Sequence, residues 1–151
     1  MGMLVFFLKT TSLVSHSTLV HGRRDDKIQN GRSVAMSSIL IDIKNLLGID
    51  AEDTNFDTEL VIFVNAAISK VTQLGVGPEE GFSITGTTQT WEDLIGNFKN
   101  LQAIKDYIYI DVRLIFDPPS NAFVVNAYRD MQNELAWRIT VMVDDNKKEA
   151  S

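Results

Sequence analysis

The stretch VRLIFDPPSNAFVVNAYRD, Val112–Asp130, decides how this chain folds. An apolar run meets two consecutive prolines and then resumes. A strand end at an active site, a tight hairpin and a subunit-contact corner can all produce that pattern, so the flanking sequence must arbitrate. Upstream, Ile108, Ile110, Val112 and Leu114 alternate as in a strand, while Leu101, Ile104, Ile108, Val112 and Ile115 recur as in a helix. The length of Leu101–Phe116, with no turn signal inside it, favours a helix. Its apolar residues cover more than one face, so it needs burial on two sides, by its own domain or by a neighbouring subunit as well. Asp117 is the natural stop, because the residue before a proline avoids the α region. Downstream, Val124, Ala127, Tyr128, Met131, Leu135 and Arg138 recur at helical spacing, which predicts a helix from about Asn121 to Arg138. RITVMVDD either continues that helix or turns extended, and NKKEAS reads as a polar tail. On this reading Asp117-Pro118-Pro119-Ser120 is a helix–helix turn, and it either serves only as a turn or also touches a partner.

Working back toward the N-terminus, the same rules predict two more helices. One runs from about Ser37 to Leu47, with Ser37 or Ser38 as the cap, Gly48 as the stop, and Ile39, Ile43, Leu46 and Leu47 at helical spacing. The next follows DAEDTN, where Thr54 and Asp57 have the spacing of a capping box. Its stripe of Phe56, Leu60, Phe63, Val64, Ala67, Ile68, Val71 and Leu74 ends at LGVGPEEG, which cannot sustain a helix. In FSITGTTQT, Phe82 and Ile84 alternate with polar neighbours, which suggests a short strand or hairpin arm. Thr90 and Asp93 then have the spacing of a second capping box, opening a short helical turn. The expected fold class is therefore mainly α: a small bundle of four main helices plus a short helical turn, with a minor β-strand or hairpin in the long loop after the second helix.

Composition bounds the function. The 151 residues suffice for one domain with a real core. No run of about 18 or more apolar residues exists to cross a membrane, and MLVFFL near the start is too short. Cysteine is absent, and both histidines, His16 and His21, lie in the first 35 residues. That removes the commonest metal ligands and general bases from the rest of the chain. Of fourteen basic and twenty acidic side chains, five and two fall in residues 1–35; the remainder carries nine and eighteen, a net of −9. A body so acidic does not grip a phosphate backbone, because nucleic-acid affinity rests on lysine and arginine displacing counterions. An acidic surface beside DNA is compatible only with DNA that slides past without sticking. Residues 1–35 are polar and aperiodic after MLVFFL and are expected to be a disordered or non-native extension, the alternative being an arm that orders on a partner. The helical domain is expected over residues 36–143 and the polar tail over 144–151.

Few residues invite a chemical role. Asp53, Asn55 and Asp57 match the first three ligands of a calcium loop, but Thr58 and Val64 stand where that loop needs glycine and glutamate, so helix-capping acids explain them better. GVGPEEG lacks the third glycine of a dinucleotide loop and carries Glu79 and Glu80 where a phosphate would sit. Trp91 and Trp137 are each either core or an interface anchor. Arg138 has Glu134 one turn before it as an internal partner. No Ser/His/Asp or Cys/His arrangement is available, so no enzyme, cofactor or metal is expected.

The order of MSSILIDIKNLLGI, AAISKVTQLGVG, TWEDLIG, YIYIDVRLIFDPPSN and ELAWRITV resembles the phage head–tail connector, or adaptor, family. The resemblance runs from about Met36 to Val143; FDPPS and ELAWR, in that order after TWEDL, are its most specific parts. It implies a structural virion protein at the head–tail junction, assembled in the host cytoplasm as a homo-oligomeric ring beneath the portal protein. Such a ring extends the DNA channel and offers a platform for the next neck or tail-completion protein. Asp117, Pro118 and Pro119 are the candidate partner or subunit contacts on the reading of the turn given above. By the resemblance, Trp137 and Arg138 would lie on or near the helix that reaches toward the portal, and Glu79 and Glu80 on the loop that shapes the channel or the subunit contacts. The rival reading is another helical phage adaptor, a tail-completion or terminase-associated protein without portal contact. A more distant rival, an enzyme or small-molecule-binding domain, needs a polar pocket with convergent acids.

Overall fold

The structure, a computed structural model, describes residues 37–96 and 98–150. The expectations for residues 1–35, including the two histidines, lie outside the described residues. Five helices follow in order: α1 (Ile39–Leu47), α2 (Asp57–Gln73), α3 (Trp91–Ile95), α4 (Leu101–Phe116) and α5 (Ala122–Glu149).

Helix ends follow local chemistry in most cases. Ser38 caps α1 by accepting from the Ile41 N–H, and Gly48 ends it at φ +80°, with Ile49 N–H returning to the Lys44 carbonyl. The left-handed conformation at Gly48 is one that a β-carbon disfavours. Thr90 and Asp93 form the expected reciprocal capping box on α3. Asn100 caps α4 and Asn121 caps α5. The start of α2 departs from expectation. Its N-cap is Phe56, which makes no side-chain cap, and the Thr54–Asp57 box does not form. The Asp57 carboxylate is drawn instead to the Lys44 ammonium, 2.8 Å away; a buried charge outbids a local cap.

The prolines do what the sequence predicts. Asp117 closes α4, and α5 runs back antiparallel beside it: Asn100 at the start of α4 reaches Met142, Asp111 meets Gln132, and Lys99 pairs with Glu149. Helix α4 is central, packing on α2, on α5 and, less extensively, on α1. Its burial on more than one face is met within this domain, by Ala103, Ile104, Tyr107, Ile108, Ile110 and Val112.

Two further expectations change. Among the described residues no strand forms; Phe82–Ile84 is irregular, and the one β-type pairing is an isolated bridge between Ser38 and Thr90. Ile84 is held instead by the Asn65 side chain, which donates to the Ile84 carbonyl at 2.9 Å and accepts its N–H at 2.7 Å. An amide can satisfy one residue's backbone on both sides, so the loop needs no partner strand. Asn65→Ala strips both bonds from a buried backbone and is expected to cost about 1–3 kcal/mol. The accompanying sign is faster hydrogen exchange at Ile84 and its neighbours, read by mass spectrometry, with the α4 amides unchanged. The other change concerns the last helix, which continues to Glu149, so residues 144–149 of the expected polar tail are helical. Its buried residues are Leu135, Ile139 and Val143, whereas Ala127, Met131 and Arg138 of the expected stripe are exposed.

Three polar clusters sit between the helices. Lys44 of α1, fully buried, donates to the Ala51 carbonyl and to Asp57, both at 2.8 Å. Asp42, also on α1, accepts with one carboxylate oxygen from Lys105 of α4 at 2.6 Å, Ser37 at 2.7 Å and the Trp91 indole N–H at 2.9 Å. Asp111 of α4 accepts from Lys70 of α2 and Gln132 of α5, each at 2.7 Å. Each cluster joins elements distant in sequence, fixing which helix lies beside which.

Burial pushes the Asp42 carboxyl up, but the hydrogen bonds from Lys105, Ser37 and Trp91 outweigh it and hold the group below the usual aspartate value. A depressed folded pKa contributes stability that is complete above the unfolded value and lost as pH falls through the folded one. Stability should therefore drop below about pH 4 in the native chain, and Asp42→Asn should flatten that part of the profile. Urea unfolding between about pH 2.5 and 6, the span of an ordinary carboxylate titration, reads the difference; parallel profiles would show that other carboxylates set the acid limb.

Candidate functional site

The described residues offer no catalytic constellation. No group of three or more His, Cys, Asp or Glu among them could hold a metal ion. The calcium-like acids have separate tasks: Asp53 caps the Asn55 N–H and Asp57 pairs with Lys44. The acids of the three polar clusters are neutralised inside the fold. No described helix is long and apolar enough to cross a membrane. What remains to be explained is apolar surface.

That surface has two parts. One is the corner at the end of the α4–α5 hairpin. Ile115 and Pro118 are exposed, Phe116 and Pro119 half-buried, and Phe123, at the start of α5, is 79% exposed. Phe56 joins the corner from α2, meeting Phe116 edge to face with ring centroids 5.5 Å apart. The Asp117 side chain is mostly exposed, and its carboxylate takes a 3.1 Å ion pair from Arg113 at the base of the turn. The turn itself is therefore fixed: two prolines preset φ, and the Arg113–Asp117 pair ties its first residue back to α4.

The other part is the outer face of α5. Trp137 is 67% exposed and Val141 stands one turn beyond it. With about 3.6 residues per turn, Phe123, Trp137 and Val141 fall within about 40° of one line along the helix, opposite the buried Leu135, Ile139 and Val143. Arg138 pairs with Glu134 on the same helix, as its spacing predicts. Exposed tryptophan flanked by an arginine is the composition of an interface anchor.

The candidate residues thus do not gather in one place. Asp117, Pro118 and Pro119 lie at one end of the hairpin. Trp137 and Arg138 lie about four turns farther along α5, roughly 22 Å by helical rise. Glu79 and Glu80 sit elsewhere, exposed at the tip of the loop between α2 and α3, flanked by Gly77 at φ +103° and Gly81 at φ +89°. The loop is anchored on both sides of that tip by the buried Val76 and Ile84, so the two carboxylates are presented to solvent from a held base. Sequence reasoning missed Phe123, the most exposed of the large apolar residues; its one signal was its place directly after the proline turn, ahead of the apolar periodicity of its helix.

No curated protein sequence and no solved structure matches the chain. A family model does, described as phage connector protein, and it matches residues 39–146. That span begins at the first residue of α1 and ends within the last turn of α5. All five helices are thus covered but for the last three residues of α5, and the chain belongs to the phage connector protein family.

Proposed function

We propose that this protein is a head–tail connector that assembles as a ring of identical copies beneath the portal protein. In that place it extends the DNA channel and offers a platform for the next neck or tail-completion protein. Its site is the virion neck, and its assembly takes place in the host cytoplasm. The observation that carries the reading is the family match over residues 39–146, all but the last three residues of the helical body. The geometry supports it: the chemistry on offer is exposed apolar surface on rigid helices, which suits permanent contacts between proteins. The acidic balance of the body suits a wall past which DNA slides.

Within this reading the corner of Asp117, Pro118, Pro119 and Phe123 is a partner contact. Trp137 and Arg138 form a second contact on the outer face of α5, and Glu79 and Glu80 face the channel. The proline turn accordingly has both roles, folding α5 back on α4 and presenting Phe123 at its end. The rival adaptor reading, a tail-completion or terminase-associated protein, shares the fold and differs in its partner.

A pull-down tests the choice. The tagged full-length chain, mixed with lysate of a phage-producing culture, is expected to retain the portal protein, identified by mass spectrometry. Phe123→Asp is expected to reduce portal recovery at least tenfold, because it places a charge where a large apolar side chain is to be buried. Retention of terminase or of a tail-completion protein alone, from a lysate shown to contain portal, would transfer the chain to the rival class.

A further inference from the structure

Four helix ends meet at the proline turn. Lys44, near the end of α1, pairs with Asp57 at the start of α2; Phe56, just before it, meets Phe116 at the end of α4; and the turn leads into α5. Six of the eight large apolar side chains exposed among the described residues, Leu46, Phe56, Ile62, Ile115, Phe123 and Met131, belong to the near halves of these helices. Apolar exposure is therefore gathered at this end, with Trp137 and Val141 elsewhere. Negative charge borders it. Asp50 and Glu52 in the α1–α2 loop and Glu59 in the first turn of α2 are exposed, and Asp53 is half-buried. None of these four has an ion-pair partner among the described residues. Arg129 and Asp130, neighbours on α5, offset each other.

We infer that the partner covering this end is a protein surface apolar at its centre and rimmed by lysine and arginine, with Glu52 and Glu59 meeting that rim. This extends the corner contact proposed above, on which it rests, across the junction of α1 and α2, and it sets the partner's charge. Charge complementarity selects the occupant. Carboxylates left unpaired at the edge of an apolar patch favour a cationic partner and repel an anionic one. The same acids repel a phosphate backbone. A second copy presenting the same end would set these acids against themselves. Its other described faces have little positive charge to offer, because seven of the nine described lysines and arginines are already paired within the chain. A different protein with a basic rim fits where a second copy does not.

The full-length chain carrying Glu52→Lys together with Glu59→Lys tests this. Glu92→Lys is the control: Glu92 is likewise an exposed first-turn acid, but on α3, away from the proline turn. The probe is the portal protein in the pull-down above, quantified by mass spectrometry. Reversal at the rim is expected to lower portal recovery at least about tenfold, and the control to stay within about twofold of native, with the helical circular dichroism of both unchanged. Salt gives a readout that a merely structural defect would not. Raising NaCl from about 0.1 M to about 0.5 M should lower recovery by the native chain and raise recovery by the rim variant, because it screens attraction in the first and repulsion in the second. Native recovery by the rim variant, or an equal loss from rim and control variants, would overturn the inference. If Phe123→Asp were still defective in that case, the connector reading would stand without it. Loss of self-association by the rim variant in sedimentation equilibrium, with portal recovery intact, would give the rim to a second copy and also overturn the inference. No portal recovery by the native chain, from a lysate shown to contain portal, would remove the connector reading itself and the inference with it.

Discussion

Asp57→Ala should be among the most destabilising single substitutions in the chain, lowering the unfolding free energy by about 3–5 kcal/mol. The reason lies in Lys44, whose side chain has no solvent exposure and whose ammonium donates to two acceptors, Asp57 and the Ala51 carbonyl. Removing the carboxylate leaves a buried cation facing a single neutral acceptor, and the desolvation cost of that cation is no longer offset. Lys44→Met gives the contrast that identifies the mechanism. It removes the charge while preserving length and apolar bulk, and Asp57, partly exposed, returns to water. Its expected cost is about 1–2 kcal/mol, mainly from the Ala51 carbonyl left without its donor. Guanidinium unfolding at neutral pH measures both. If Asp57→Ala proves no more costly than Lys44→Met, the ammonium is reaching water and the argument from burial fails.

Trp91→Ala should be comparably damaging, at about 3–5 kcal/mol. Trp91 is fully buried beneath α1 and is the first residue of the five-residue helix α3. Its indole fills the space between α1 and α4, its N–H reaches Asp42 at 2.9 Å, and Lys105 Nζ lies 5.0 Å from the ring centroid. Three terms are lost together: apolar burial, a charge-assisted hydrogen bond and a cation–π contact. Trp91→Phe separates them, since it retains most of the burial and a ring face for Lys105 while removing the N–H; its expected cost is about 1–3 kcal/mol. The two residues share one network, so Trp91→Phe combined with Asp42→Asn should cost less than the sum of the single changes. Strict additivity in that cycle would show that the 2.9 Å contact contributes nothing to stability.

These clusters also explain where reading the sequence stops. The helices of the body were legible because periodicity, caps and proline are local. Leu101–Phe116 resolved as a helix on length alone, the Thr90–Asp93 box was correctly placed, and the proline turn between two bundled helices was visible in Asp117–Ser120. The phase of α5 was not legible. Its apolar residues lie on both sides of the helix, so periodicity could not say whether Met131 or Ile139 faces the core; α4 decides that by covering one side. The two tryptophans show the same limit. Trp91 and Trp137 begin as equivalent candidates for core or interface, and packing buries one and leaves the other outside.

The candidate surface divides in the same way. Asp117, Pro118 and Pro119 announce a corner through backbone chemistry alone. The exposure of Phe123, and its grouping with Phe56 and Ile115, depends on where α2 ends relative to the α4–α5 hairpin. Likewise the expected strand at Phe82–Ile84 was inferred correctly as alternation and wrongly as a strand, because the Asn65 amide takes the place of a β partner from 19 positions away.

By itself, then, the sequence determined a helical body after residue 36, its order of elements, the turn that doubles it back, and the acidic, cysteine-free composition of that body. Those follow from interactions within about four residues and from composition. Only the tertiary structure decided which carboxylates are buried partners of Lys44, Lys70 and Lys105, and which apolar side chains remain for other proteins to cover. Such pairings join residues 13 to 63 positions apart, and burial is a property of the neighbours a residue acquires in space, which no local pattern records.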